Sequence, residues 1–490
     1  MQNQNMNKTE LAGKIKALEG LTNEEKTALL GLLREQKKYG IVWEDKPEDV
    51  EQQLATELPV LTEVKDRFIK GSTPDAPNHI LIEGDNLHAM TALSYTHEGK
   101  IDVIYIDPPY NTGNKDFVYN DTFVDREDGY RHSKWLSFMN KRLKIAKRLL
   151  SNRGVIFISI DDNEQAPLKL LGDEVFGESN FIGQLILKTA TDNNATQINT
   201  EHEYMLCYCL NRANQGNWKR TGQAAKNIIQ KYKELKAQGL SVESIQKELR
   251  KWIKENKNDL PQVAHYNNVD DKGVYSSSSN SSNPHPGGYM YDIIHPITML
   301  PCPKPANGWR WPKSTFDDYD AAGEIEWGKD ESTQPHVKKR IETATDYLRT
   351  LIYEDNRGTT LALADIFNGK KVFDNPKPQK VLQRVLDFAS GKDAIILDFF
   401  AGSGTTLHAT MQLNADDNGR RQCIIVTNNE NGICENVTYE RNKRVIKGYT
   451  TPKGVDIEGL RDNTLRYYKT AFVSAERTSS SKLTQFFRST

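Results

Sequence analysis

At 490 residues the chain is longer than one typical core allows, so two or three domains are expected. Its formal net charge of -1 excludes a global field that draws it onto nucleic acid or an acidic membrane, so any DNA-binding surface must come from local segregation of charge. The five cysteines (Cys207, Cys209, Cys302, Cys423 and Cys434) form no C-x-x-C pair and are odd in number, which argues against a disulfide framework or a metal site and for buried thiols in a reducing compartment.

From the N-terminus, Met1 to Glu10 is polar and amide-rich and lacks the apolar core of a signal peptide. No run approaches the ~20 apolar residues of a membrane span, so a cytoplasmic protein without membrane contact is expected. Residues 1–75 read as a helical segment. Thr22-Asn23-Glu24-Glu25 ahead of Ala28, Leu29, Leu30, Leu32 and Leu33 is a capping-box start. Residues 76–210 read as a first α/β block, with strands at His79–Ile82, Ile101–Ile106, Gly154–Ile160 and Glu203–Leu210. Trp135, Phe138, Met139, Leu143, Ala146 and Leu150 recur at helical spacing, a stripe that packs on a sheet. Near-continuous apolar strands alternating with amphipathic helices predict a parallel, doubly wound sheet.

The texture changes over residues 211–370. Between Arg212 and Lys257 there are 12 Lys or Arg against 4 Glu, with Trp218, Tyr232 and Trp252 interleaved. The serine-rich Ser276 to Ser282 and Pro284, Pro286, Gly287 and Gly288 read as a loop, followed by Trp309-Arg310-Trp311. A solvated helical insert is one reading; a DNA-reading module whose Lys and Arg touch phosphates is the other. The α/β pattern returns over 371–450, with strands Ala394–Phe400 and Gln422–Asn428 and a helix over Thr405–Leu413. One sheet is therefore expected from two sequence blocks, with the basic region inserted between them. Residues 451–490 read as a C-terminal tail.

Two strand ends carry the chemistry. Asp107-Pro108-Pro109-Tyr110 closes the apolar run Ile101 to Ile106 and presents a carboxylate and an aromatic ring. Ligands of open α/β sheets bind outside the carboxyl ends of strands. An acceptor beside a π-face suits a planar amine such as a nucleobase. The lone pair of that amine is delocalised, so it needs acceptors for both N–H bonds before it can attack. The Asp107 carboxylate and the Pro108 carbonyl offer two. Prolines remove competing donors and stiffen the turn, and Tyr110 offers a stacking face worth ~1–3 kcal/mol per base. A base must leave its duplex to reach such a pocket. The plain alternative is a strand-ending turn. The second strand end, Asp398-Phe399-Phe400-Ala401-Gly402-Ser403-Gly404-Thr405-Thr406, is a glycine turn into a helix. Glycines let backbone approach a ligand, and the helix N-terminus adds a positive dipole end. Leu407 stands where a dinucleotide fingerprint has its third glycine, and the Gly-Lys-Ser/Thr of a P-loop is absent. A nucleotide-like cofactor without a pyrophosphate fits better; a turn with no ligand is the alternative.

With these residues on view, the chain resembles the beta group of amino-methylating DNA methyltransferases that use S-adenosyl-L-methionine. Their catalytic motif matches Asp107-Pro108-Pro109-Tyr110 and their cofactor motif Phe400-Ala401-Gly402-Ser403-Gly404, in the beta-group order with the recognition region between. Gly84-Asp85-Asn86-Leu87 is similar to the segment that reaches the cofactor adenine, and Asn375-Pro376-Lys377-Pro378 to the segment over the methionine end. The resemblance implies cofactor contacts from Asp85, Lys377, Asp398, Phe400, Gly402, Gly404 and Thr405, and from Glu430 after the next strand at the ribose hydroxyls. Lys38-Tyr39-Gly40-Ile41-Val42-Trp43-Glu44 and Leu465-Arg466-Tyr467-Tyr468-Lys469-Thr470 are similar to segments of type III restriction-modification Mod subunits, which continue well beyond the second segment, whereas this chain stops at Thr490.

The resemblance implies a Rossmann-like α/β methyltransferase sheet with an inserted target-recognition region. It implies direct methyl transfer to the N6 amine of adenine in a short duplex DNA sequence. The first motif position, Asp rather than Ser, favours adenine over cytosine in this family. A homodimer is expected, with a restriction subunit as possible partner. The alternatives are a cytosine-N4 enzyme, an inactive DNA-binding protein on the same fold, and an RNA or protein amine methyltransferase. His132, His202 and His408 read as satisfied structural residues. Asp161 and Asp162 read as a strand cap or pocket wall.

Overall fold

The computed structural model describes residues 14–18, 20–22, 25–26, 29, 41–114, 116–120, 122–188, 197–257, 260, 263–277, 281–354 and 356–474. Two compact units result: residues 1–216 with 349–490, and the insert 217–348. Of the expected N-terminal helix, Thr22 and Glu25 are described. They form the reciprocal bonds of a capping box, with Thr22 N donating to Glu25 Oε2 at 2.8 Å and Glu25 N to Thr22 Oγ1 at 3.2 Å. Ala28, Leu30, Leu32, Leu33 and Lys38-Tyr39-Gly40 lie outside the described residues.

The first unit is built on a ten-stranded sheet. Its strands are β1 (Glu57–Glu63), β2 (Asn78–Glu83), β3 (Ile101–Ile106), β4 (Leu150–Ile160), β5 (Phe181–Lys188), β6 (His202–Cys209), β7 (Leu351–Tyr353), β8 (Ile395–Asp398), β9 (Gln422–Thr427) and β10 (Thr464–Ser474). They lie in the order β1-β10-β2-β9-β8-β3-β4-β6-β5-β7. The central run β10-β2-β9-β8-β3-β4 is parallel. Its helices include α1 (Asn86–His97), α2 (Arg131–Leu149), α3 (Gln165–Phe176), α4 (Gln379–Ala389), α5 (Thr405–Asp417) and α6 (Glu440–Lys447).

The parallel expectation holds for the centre and fails at two places. Strand β6 runs antiparallel to both β4 and β5, and β1 runs antiparallel to β10. β5 and β6 are consecutive neighbours in the sheet, the relation that an antiparallel return gives and a crossover does not. The expected stripe is the buried face of α2: Trp135, Met139, Leu143 and Ala146 are fully buried and Phe138 packs beside them. Leu150 instead opens β4.

Three expected boundaries shift. The N-terminal segment contains a strand as well as a helix, because Leu58-Pro59-Val60-Leu61 pairs along β10. The expected tail supplies β10, which lies between β1 and β2 with Leu465 and Tyr467 fully buried. Residues 349–370 belong with the first unit, since Leu351, Ile352 and Tyr353 pair in parallel with Ile186, Leu187 and Lys188.

The connections place the two motifs. Beyond β3 the chain moves through α2 to β4 on one side. Beyond β8 it moves through α5 to β9 on the other. β3 and β8 are parallel neighbours, with Ile396 opposite Val103 and Leu397 opposite Ile104. Their carboxyl ends therefore flank the point where the crossover direction reverses, where an open α/β sheet leaves a crevice. Asp102, the one charged residue in the β3 run, is satisfied at its start: it accepts from Ile395 N at 3.0 Å and from Ser151 Oγ at 3.0 Å.

The insert has its own cores. Helices Gln223–Ala237 and Val242–Glu255 bury Ile228, Leu235, Ile245, Leu249 and Ile253 against Tyr266, Val274 and Ile341. Ile293, Trp309, Phe316, Ile325 and Val337 form a second cluster. Asp270 joins the small sheet, accepting both terminal nitrogens of Arg340 at 2.6 and 2.8 Å and Lys338 Nζ at 2.8 Å. Tyr232 and Trp252 pack into the first core, whereas Lys233, Lys236, Lys247, Lys251 and Lys254 are exposed.

Candidate functional site

Asp107 follows β3 directly, and its carboxylate is 29% exposed in the crevice. Trp135 Nε1 donates to the Pro109 carbonyl at 2.7 Å, which fixes the double-proline turn against α2. No hydrogen bond among the described residues ends on the Pro108 carbonyl. Asn111 follows Tyr110 in a left-handed conformation (φ 57°), fully buried, and donates through Nδ2 to Glu164 Oε1 at 2.6 Å. Glu164 is itself buried and is bonded to His132 Nδ1 at 2.7 Å. The turn is therefore held from two sides.

Two distant residues complete the Asp107 site. Lys377, from the loop before α4, lies 3.3 Å from Asp107 Oδ1 and 2.7 Å from Glu203 Oε2. Its ammonium donates to Tyr110 OH at 2.5 Å and sits 4.9 Å from the centre of that ring. Tyr110 OH donates to Glu203 Oε2 at 3.0 Å. Lys377 and Glu203 are about nine-tenths buried. Burial pushes the Asp107 carboxyl above its ordinary range; Lys377 pulls it down, and the Glu203 charge pushes it up again. Burial alone lowers Lys377, but Asp107 and Glu203 together hold it above the usual lysine value.

The glycine turn after β8 is organised from beneath. The Asp398 carboxylate is buried and accepts Phe400 N at 2.9 Å and Thr406 Oγ1 at 2.5 Å. Desolvation raises its pKa to about 7. Gly402 and Gly404 take positive φ (48° and 77°), a conformation glycine adopts without a Cβ penalty. Thr438 Oγ1 donates to the Gly402 carbonyl at 2.6 Å. The buried Arg441 donates to Ser403 Oγ at 2.9 Å and Thr405 Oγ1 at 2.7 Å. Burial brings its pKa down to about 9. A Cβ on Gly402 would come 3.3 Å from Phe373 Cζ and one on Gly404 2.5 Å from Asn442 Nδ2, so both glycines pack closely against protein atoms.

The remaining expected residues sort by place. Asp85 caps α1, accepting Leu87 N at 2.7 Å, with its carboxylate 35% exposed after β2. The neighbouring Asn86 ties this segment to the glycine turn, donating to the Phe399 carbonyl at 3.0 Å. Glu430 is exposed beyond the end of β9. The structure thus brings Asp85, Phe400, Gly402, Gly404 and Glu430 to adjacent strand ends, and gathers Asp107, Tyr110 and Lys377 into one cluster. Asp398 and Thr405 it sets within the turn. Asp161 caps the turn into α3, accepting Asn163 N at 2.9 Å. His202 is satisfied by Tyr204 OH at 2.9 Å. Sequence reasoning missed Glu203, Asn111, Glu164 and Arg441. For Glu203 the signal was present as the one carboxylate in an otherwise apolar strand run.

A family described as DNA methylase matches residues 101–448, from β3 past the glycine turn. The chain is 36% identical to the EcoP15I Mod subunit, a type III restriction-modification enzyme of Escherichia coli, over 76% of this chain and 61% of that one. It is 34% identical to the StyLTI Mod subunit of Salmonella typhimurium, over 71% of this chain and 52% of the relative. With the type II methyltransferase M.KpnI of Klebsiella pneumoniae the identity is 30%, over 78% of this chain and 88% of the relative. The chain therefore spans little more than half the length of the two Mod subunits and most of the length of the type II enzyme. The family match covers both strand-end motifs and the insert between them, and it establishes that the chain belongs to the DNA methylase family.

Proposed function

We propose that this chain transfers a methyl group from S-adenosyl-L-methionine to the N6 amine of an adenine within a short duplex DNA sequence. The observation that carries the reading is the meeting of Asp107 and Tyr110 with the Gly402–Gly404 turn at the ends of two neighbouring parallel strands.

The residues present fit that cofactor. Gly402 and Gly404 carry no side chains at the turn, and Gly404 opens α5 without a side-chain cap. Asp85 and Glu430 offer carboxylate acceptors at the next strand ends, suited to ribose or base donors. When bound, S-adenosyl-L-methionine supplies a methyl group on a sulfonium, already activated for displacement. The protein's part is positioning. Asp107 accepts one N–H of the target amine and the Pro108 carbonyl the other, so the nitrogen lone pair is turned out of the ring. The same carboxylate stabilises the positive charge that develops on the nitrogen, and no covalent enzyme intermediate is required.

DNA recognition falls to the insert, whose exposed lysines suit phosphate contacts. A homodimer is the family expectation, and the designation of two relatives as Mod subunits supports association with a restriction subunit. Light scattering with and without a candidate partner measures both. A cytoplasmic location is in keeping with action on genomic DNA and with five cysteines that are all buried and free.

The test is expression in a methylation-free host, followed by sequencing of its genomic DNA with detection of modified bases. N6-methyladenine at one short motif is the expected result. N4-methylcytosine would reassign the target base. Unmodified DNA, from a protein that folds and binds S-adenosyl-L-methionine, would overturn the reading.

A further inference from the structure

Lys377 stands where the substrate amine belongs. Its nitrogen is 3.3 Å from Asp107 Oδ1 and 2.5 Å from the Tyr110 hydroxyl, at the edge of that ring. A donor nitrogen beside that carboxylate is what the amine of a flipped base presents. We propose that Lys377 is a placeholder for the target amine, and that Glu203 is the positioning residue that takes Lys377 over when the base enters; this rests on the methyltransferase reading above.

Three observations support the exchange. Lys377 is already closer to Glu203 (2.7 Å) than to Asp107 (3.3 Å), so a small shift completes its transfer. Glu203 has acceptor capacity to spare, since Oε1 is buried and has no hydrogen-bond partner, while Oε2 takes both Lys377 and Tyr110 OH. The charges also require a third member. Two carboxylates facing each other in a desolvated pocket cannot both stay ionised without a cation. A protonated Asp107 loses the acceptor that the amine needs. Lys377 on Glu203 keeps that charge in balance while leaving Asp107 free. Glu203 therefore acts through Lys377 and Tyr110 and need not touch the substrate.

The groups that face Asp107 are Lys377, Glu203, Tyr110, Tyr105 and Asp398. Methylation requires Asp107 ionised, so the rate falls as pH drops through its pKa. K377M removes the cation and leaves a like charge, so the acid limb moves to higher pH, by about one unit. E203Q removes the like charge, so the limb moves to lower pH. It also leaves Lys377 with Asp107 as its one anionic partner, so the amine position is harder to clear. Half-saturation by DNA rises about tenfold, the equivalent of one pKa unit of altered pairing. E203Q/K377M lacks both the placeholder and its acceptor, and recovers DNA half-saturation relative to E203Q.

The measurement is single-turnover incorporation from S-adenosyl-L-methionine carrying a tritiated methyl, at saturating cofactor, into unmethylated genomic DNA, from pH 5.5 to 9, with melting curves as the folding control. Opposite shifts of the acid limb in the two single variants, with recovery in the double, are expected. Unmoved limbs with additive losses would mean that the pair only braces the fold, and would overturn the proposal. Should E203Q fail to fold, the K377M limb decides alone: unmoved, it sinks the proposal. A wild-type protein that incorporates no label overturns the methyltransferase reading, and the placeholder with it. A failure confined to the placeholder appears only beside an active wild type.

Discussion

Asp107 is where a single charge matters most. Its carboxylate is ionised only above a raised pKa, because burial and Glu203 outweigh Lys377. Asp107→Asn keeps the shape and one acceptor and removes the charge. On the scale of losing one preorganised electrostatic contact, methyl incorporation should fall roughly 100- to 1000-fold. Binding of S-adenosyl-L-methionine, followed by calorimetry, should be unchanged, because the variant leaves the glycine turn intact. Normal turnover in this variant would remove Asp107 from the chemistry. The residue was legible in the sequence because its signal is local: an apolar strand, a carboxylate, two prolines and a ring in ten consecutive positions. Glu203 and Lys377 were not legible as its partners, since they reach Asp107 from 96 and 270 positions away. A lysine ahead of a helix and a glutamate opening a strand declare no common site until the sheet order is known.

Elements explain what the sequence hid. β10 reads as a tail because its apolar Leu465 and Tyr467 alternate with Arg466 and Tyr468 and are followed by Lys469. That alternation is what a strand shows when one face is buried and the other is half open, with Leu465 and Tyr467 inward. β5 was missed because Gly183 and Gln184 interrupt its apolar run. The parallel core was read correctly because strands covered on both faces leave unbroken apolar runs. The junction of β10, β2 and β9 also gives a pH dependence. His79 on β2 is fully buried, accepts Cys423 N through Nδ1 at 3.1 Å and faces Asn463 Oδ1 from Nε2 at 2.8 Å. Nδ1 must stay unprotonated to accept, and burial lowers its pKa to about 4. In the unfolded chain the imidazole takes up a proton near its ordinary pKa of about 6.5. Its contribution is therefore complete above pH ~6.5 and is lost as pH falls toward about 4. The loss by pH 5 is about 2 kcal/mol. Denaturant unfolding at pH 7 and pH 5 should show this drop in the wild type and a shallower one in His79→Asn. Equal slopes would remove His79 from the acid response.

At the scale of the molecule, the proposed methyl transfer and the proposed DNA contact fall on separate compact units of one chain. The reacting groups sit on the sheet of residues 1–216 and 349–490, and the exposed lysines sit on the insert 217–348. The basic run and its interleaved aromatic residues were visible in the sequence, and the structure packs Tyr232 and Trp252 into the helix pair. Burying Ile245, Leu249 and Ile253 turns Lys247, Lys251 and Lys254 outward on Val242–Glu255, at the spacing that keeps residues on neighbouring turns of one helix side. These lysines lie on the insert and not among the reacting groups of the other unit, so they should act on DNA affinity alone. Each phosphate contact contributes about 0.9 to the slope of log K against log salt. Lys247→Gln, Lys251→Gln and Lys254→Gln together should lower that slope by about 3 and weaken binding to all sequences alike. At saturating DNA and low salt the methyl-transfer rate should match the wild type, because Asp107, Tyr110 and the glycine turn are unchanged. Fluorescence anisotropy over a salt series, paired with single-turnover incorporation, separates the two quantities. An unchanged slope would move the phosphate contacts to another face of the insert. A lost rate at saturation would show that this helix does more than hold the duplex.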